Sequence, residues 1–101
     1  MKVYISGKVT GLDLEQAKEN FRKAEEKLNG QGHATMSPAA LFGNKGFEHS
    51  DYMHVCYAMI DVCDALFLQA NWQDSKGARM ERSYALEWRK EIIYEDESTR
   101  E

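Results

Sequence analysis

Glu81 is the residue whose type and setting point most directly to chemistry. It shares one helical stripe with Ala78, Ala85 and Trp88, because their spacings fall near multiples of 3.6 residues. A carboxylate on the inward face of an otherwise apolar helix costs free energy unless it is paired or used. Glu81 also sits in the first turns of that helix, where the macrodipole favours an anion. Two readings follow: a salt bridge to Arg79, Arg82 or another chain, or a part in a reaction.

The residues that open this helix, Ser75-Lys76-Gly77-Ala78, also allow two readings. Ser75 suits an N-cap with no ligand involved. A helix start with Ser and Gly also presents free N–H groups to a phosphate or a hydroxyl. The loop Gly7-Lys8-Val9-Thr10-Gly11 is either plain turn chemistry or a second cradle. Its glycines permit close backbone approach, and Lys8 offsets negative charge. Tyr4 lies within a strand whose neighbours Val3 and Ile5 face the other way. Its ring is expected half-buried, either as core packing or as a phenol that orients a carboxylate. His33, His49 and His54 show no metal-ligand spacing, so no metal site is expected. No phosphate loop of the Walker type and no dinucleotide fingerprint is present.

The elements that must position these residues alternate between strand and helix. Val3–Ser6 reads as a short strand ended by Gly7. Asp13 is placed as N-cap and Gln16 as the capping-box partner of a helix carrying Leu14, Ala17, Phe21, Ala24 and Leu28 at helical spacing. Gly30 and Gly32 stop it. A second strand runs from His33 to Met36, and Ser37-Pro38 breaks it. The stretch Leu41–His49, with Gly43, Asn44, Lys45 and Gly46, reads as an exposed loop. From Asp51 to Val62 the pattern is apolar on nearly every side, as in a buried helix. Ala65–Leu68 is a buried strand, Asn71–Lys76 a polar loop around Trp72, Gly77–Lys90 a helix and Ile92–Tyr94 a last strand. Residues 95–101 form a charged tail that is expected to fray.

Such alternation implies parallel β-α units with right-handed crossovers and helices on both sheet faces. Ligands of these sheets bind beyond the carboxyl ends of the strands. Three segments meet there: the loop after Ser6, the region after Met36 and the loop after Leu68.

The 101 residues suit one domain. With 43% hydrophobic and 30% charged residues, a core and a well-solvated surface are both available. A net charge of −4 argues against a nucleic-acid polymer as partner. No apolar run approaches a membrane span, and the N-terminus lacks the apolar length of a signal peptide. Cys56 and Cys63 lie two helical turns apart if one helix carries both, roughly 10 Å and too far for a disulfide. Reduced thiols in a cytoplasmic protein are therefore expected. The nearly all-round apolar helix near Met53–Ile60 has more apolar surface than one sheet face covers, which points to a homodimer or higher homo-oligomer.

Taken together, Tyr4-Ile5-Ser6-Gly7 with Gly11, Ser37-Pro38, the run Cys63-Asp64-Ala65-Leu66-Phe67-Leu68, and then Trp72, Ser75, Gly77, Ala78, Glu81 and Tyr84-Ala85 resemble the nucleoside 2-deoxyribosyltransferase-like superfamily. Within it, the chain resembles a small bacterial and phage branch described only as a domain of unknown function. The resemblance spans roughly residues 3–94. It implies an α/β, flavodoxin-like three-layer sandwich with a parallel sheet of about four strands in the order 2-1-3-4. It further implies cleavage or exchange of N-glycosidic bonds in a small-molecule nucleoside or nucleotide, with no cofactor. In that family the position of Glu81 is the nucleophile and that of Tyr4 orients it. The position of Ser75, with the Gly77-Ala78 helix start, lines the sugar or its 5′-phosphate. The glycine-rich segment after the first strand, here Ser6, Gly7 and Gly11, lines the same pocket.

One departure bears on turnover. Enzymes of the superfamily carry an aspartate eight residues before the aspartate that starts the third strand. Asp64 starts that strand here, so the matching position is Cys56. A thiol does not replace a carboxylate as acceptor, and Asp61 points elsewhere on the same helix. Glu48 and Asp51 are the local candidates to supply the missing carboxylate. The leading expectation is an N-glycosidase or deoxyribosyltransferase; the alternative is a non-catalytic nucleotide-binding or sensing module on the same fold.

Overall fold

The computed structural model describes residues 1–100. Strands β1 (Lys2–Ser6), β2 (Ala34–Met36), β3 (Ala65–Leu68) and β4 (Glu91–Tyr94) alternate with helices α1 (Leu14–Gly30), α2 (His49–Asp61) and α3 (Lys76–Glu87). All strand pairs are parallel, and the sheet order is β2-β1-β3-β4. This is the α/β, flavodoxin-like order expected from the sequence, with β1 between β2 and β3.

Strand alternation sorts the core into two layers. Val3, Ile5, Ala65 and Phe67 face α1 and pack on Phe21, Ala24 and Leu28. Tyr4, Leu66 and Leu68 face the other way, toward Cys56 and Ile60 of α2 and Ala78 and Ala85 of α3. Thus α1 covers one face, while α2 and α3 share the other. Tyr4 is fully buried rather than half-buried, because β1 is central and both helices close over it. Among the described residues, no helix is long and apolar enough to cross a membrane.

Several local expectations need correction. Asp13 is the N-cap residue of α1, but its side chain makes no capping hydrogen bond. Helix α2 buries only one stripe, Met53, Cys56 and Ile60, and leaves Val55 exposed, as is Val62 at its C-cap. The single chain therefore does not bury this helix all round. Trp72 is buried and packs beside Tyr94, so the segment after β3 is anchored rather than simply polar. Trp88 is 60% exposed and leaves the stripe of Ala78, Glu81 and Ala85. The reason is a Schellman turn: Arg89 takes φ 59°, its N–H donates to the Leu86 carbonyl, and that of Lys90 donates to the Ala85 carbonyl. Helix α3 therefore ends at Glu87 and Trp88 swings outward. The tail is also better tied than its charge implies. Glu95 accepts from the Ala70 N–H at 2.7 Å, the Trp72 indole donates to Thr99, and Arg100 lies over the Tyr94 ring.

Candidate functional site

The carboxylate of Glu81 is the floor of the site. Its residue is 5% exposed, and it lies between Ala78 and Ala85 on the buried stripe of α3. The Tyr4 hydroxyl donates to Oε2 at 2.8 Å and the Ser6 hydroxyl to Oε1 at 2.6 Å. Strand alternation explains the pairing, since residues 4 and 6 of β1 point to the same face. The salt-bridge reading is set aside: Arg79 donates to the Gln73 carbonyl and Arg82 to the Tyr94 hydroxyl. The third neighbour of the carboxylate is the Cys56 thiol from α2.

Burial pushes the Glu81 carboxyl above its ordinary range, while the hydrogen bonds from Ser6, Tyr4 and Cys56 pull it down without prevailing. Burial also pushes the Cys56 thiol up to about 12, so it stays protonated near neutrality and is a weak donor. The Tyr4 hydroxyl is raised well above its usual value, first by burial and then by the adjacent Glu81 charge. The cluster is thus one carboxylate facing three neutral hydrogen-bonding groups.

An open cavity of about 910 Å³ lies above this floor, within the range of small-molecule sites. Gly7, Ser75, Gly77, Ala78 and Glu81 line it, as does Cys56. Tyr4 and Ser6 lie behind Glu81, fully buried, and do not form the wall. Gly11 is also off the wall, which Val9 and Thr10 supply instead; its φ of +90° makes it a turn residue. Ser75 caps α3, its hydroxyl accepting from the Ala78 N–H at 3.1 Å. Lys76 and Gly77, which open the helix, also line the cavity.

At Gly7 the constraint is one of space rather than of φ, and the Gln69 side chain would have to shift to admit a larger residue. A Cβ there would lie 2.6 Å from the Gln69 side chain. Gln69 in turn ties the two loops, its N–H donating to the Ser6 carbonyl at 3.0 Å. The Lys8 N–H donates to Asn71 at 3.0 Å. The loops after β1 and β3 are therefore held side by side over the carboxyl ends of their strands, where ligands of open α/β sheets bind.

Sequence reading missed several wall residues. His49, Tyr52 and Met53 come from the start of α2, and Leu41 and Phe42 from the turn after β2. Their apolar spacing is that of ordinary core, and only the crossover that swings α2 over β1 reveals them. Glu48 and Asp51 do not supply the missing carboxylate. They cap α2, with Asp51 accepting from the Glu48 N–H at 2.8 Å. Asp61 accepts from the Tyr84 hydroxyl at 2.6 Å. The second carboxylate on the wall is the exposed Asp74. Among the described residues, no group of three or more His, Cys, Asp or Glu side chains is arranged to hold a metal ion.

Comparison with known proteins agrees with this architecture. The model of the family described as Domain of unknown function (DUF4406) matches residues 1–94. No curated protein matches the chain. Among solved structures, a CMP N-glycosidase from Clostridium botulinum superposes with a TM-score of 0.65 at 18% identity, over 93% of this chain and 70% of that one. A 2-deoxyribosyltransferase from Leishmania mexicana superposes with a TM-score of 0.68 at 19% identity, over 92% of this chain and 62% of that one. At such identities the likeness is one of fold. The chain belongs to the DUF4406 family and carries the nucleoside 2-deoxyribosyltransferase-like fold.

Proposed function

We propose that the protein cleaves or exchanges the N-glycosidic bond of a nucleoside or nucleoside 5′-monophosphate, with Glu81 as the nucleophile. One observation carries this reading: a buried carboxylate with no cationic partner among the described residues, held by Tyr4 and Ser6 at the floor of a ligand-sized cavity. A structural carboxylate this deep is normally paired with a cation. Here it lines the cavity, which is where attack on an anomeric carbon requires it. The Glu81 oxygen would bond to C1′ as the C1′–N bond breaks, its electrons passing to the base, which takes up a proton. Water attacking C1′ would then release the sugar and return the carboxylate; a second base would give transfer instead.

The remaining walls suit the rest of such a substrate. The start of α3 at Ser75, Lys76 and Gly77, with His49 and Arg79 nearby, suits a phosphate or a 5′-hydroxyl. The apolar side, with Leu14, Leu41, Phe42 and Tyr52, suits a base. The fold likeness to an N-glycosidase and a deoxyribosyltransferase supports the assignment.

A second reading, nucleotide binding without turnover, is favoured by Cys56. A protonated thiol on the wall does not accept from sugar hydroxyls as a carboxylate does. The two readings separate on incubation with a panel of nucleosides and nucleoside monophosphates, with free base followed by chromatography. Catalysis predicts base release that Glu81→Gln abolishes. Binding alone predicts saturable binding with no release, and release that appears in Cys56→Asp marks a decayed site. We also propose a homodimer through the exposed face of α2, where Val55 and the C-cap residue Val62 are solvent-facing in the single chain.

A further inference from the structure

We infer that Ser6 is a positioning residue for Glu81 rather than a substrate contact: its hydroxyl fixes the plane of the carboxylate that Tyr4 holds by one oxygen only. The inference rests on the reading of Glu81 as the reacting carboxylate. Ser6 is fully buried and lies behind Glu81, off the cavity wall, so no substrate atom reaches it. Its Oγ donates to Oε1 at 2.6 Å while Tyr4 donates to Oε2 at 2.8 Å. The last torsion of a glutamate is broad. One donor leaves the carboxylate free to turn about that contact, and a second on the other oxygen removes this freedom. With Cys56 as a third donor, one of the carboxylate's four lone-pair sites remains for the cavity.

The backbone holds Ser6 for this task. Ser6 pairs in register with Leu68 of β3, and its carbonyl accepts from the Gln69 N–H at 3.0 Å. Both hydroxyl donors to Glu81 thus come from one central strand, two residues apart. The second donor has an electrostatic consequence too. Hydrogen bonds to the charged form favour ionisation, and Glu81 has no cation to help it. Ser6 therefore favours the ionised form of the nucleophile as well as orienting it.

The test uses Ser6→Ala, which deletes the donor, and Ser6→Cys, which keeps a weak one. The titration of the Glu81 carboxyl carbon is followed by carbon-13 NMR, assigned with Glu81→Gln, alongside kcat and KM for base release. Ser6→Ala is expected to move the Glu81 titration to higher pH and to lower kcat roughly tenfold or more, with KM little changed. The acid limb of the rate profile should shift upward with the titration, and Ser6→Cys should fall between wild type and Ser6→Ala on each measure. An unmoved Glu81 titration in Ser6→Ala, or a raised KM with unchanged kcat, overturns the inference. If the wild type releases no base, the proposed activity falls, while the titration still decides whether Ser6 governs Glu81.

Discussion

At the residue scale the molecule holds an uncompensated charge in its core, and the consequence is a measurable conflict between stability and chemistry. Burial raises the Glu81 carboxyl above its ordinary value of 4.5. The folded state then holds that proton more tightly than the unfolded chain. Stability is therefore greatest with Glu81 protonated, and it falls as pH rises from 4.5 through the raised value. Glu81→Gln, which mimics the neutral form and can still pair with Tyr4 and Ser6, should be more stable than wild type at neutral pH. The gain in Tm should grow as pH rises through that window and then level off, each kcal/mol appearing as ~4–8 °C in a domain of this size. A Tm difference that stays flat with pH, or a loss of stability at neutral pH, would refute the argument. Glu81 itself was legible in the sequence, because a lone carboxylate on an apolar stripe is an anomaly that periodicity exposes. Its partners were less so. Tyr4 was recognised, but its full burial depends on two helices meeting over β1. Ser6 was read as part of a glycine-rich lip, although alternation along β1 already places residues 4 and 6 on one face.

At the scale of the element, α3 carries Glu81, and its N-cap residue has two jobs. Ser75 caps the helix through the Ala78 N–H, and it stands where the proposed ligand's phosphate would sit. The jobs come apart by substitution. Ser75→Ala should lower the unfolding free energy by about 1 kcal/mol, read by denaturant titration. Ser75→Asp should restore the cap, and with it the stability, yet weaken nucleoside monophosphate binding relative to the matching nucleoside by placing a negative charge against the phosphate. Equal weakening of both ligands would remove the phosphate from this helix start. The beginning of α3 was readable because Ser and Gly mark it chemically. Its end was not, because the left-handed residue of the Schellman turn is Arg89 rather than glycine, and that is why Trp88 was assigned to the wrong side. Likewise, the glycines of the loop after β2 announced a break but gave no sign that Leu41 and Phe42 line the cavity.

At the scale of the whole molecule, the parallel sheet with helices on both faces followed from the β-α alternation, while the strand order came with the family resemblance. The position of the cavity followed from the alternation as well, at the carboxyl ends of β1 and β3. What one chain cannot express is the surface it buries against another. Val55 on α2 and Val62 at its C-cap lie seven residues apart and are both exposed. If a second copy covers this face, light scattering at micromolar concentration should give twice the chain mass, and Val55→Glu should reduce it to one. A monomeric wild type would contradict the dimer. The central claim is that this small α/β domain uses a buried carboxylate as a nucleophile toward an N-glycosidic bond, and its most direct test is base release across a panel of nucleosides and nucleoside monophosphates, wild type against Glu81→Gln. The account predicts free base from at least one substrate with the wild type and a loss on the order of 10³-fold or more in the variant; release that survives Glu81→Gln, or substrates that bind the wild type and are never cleaved, would contradict it.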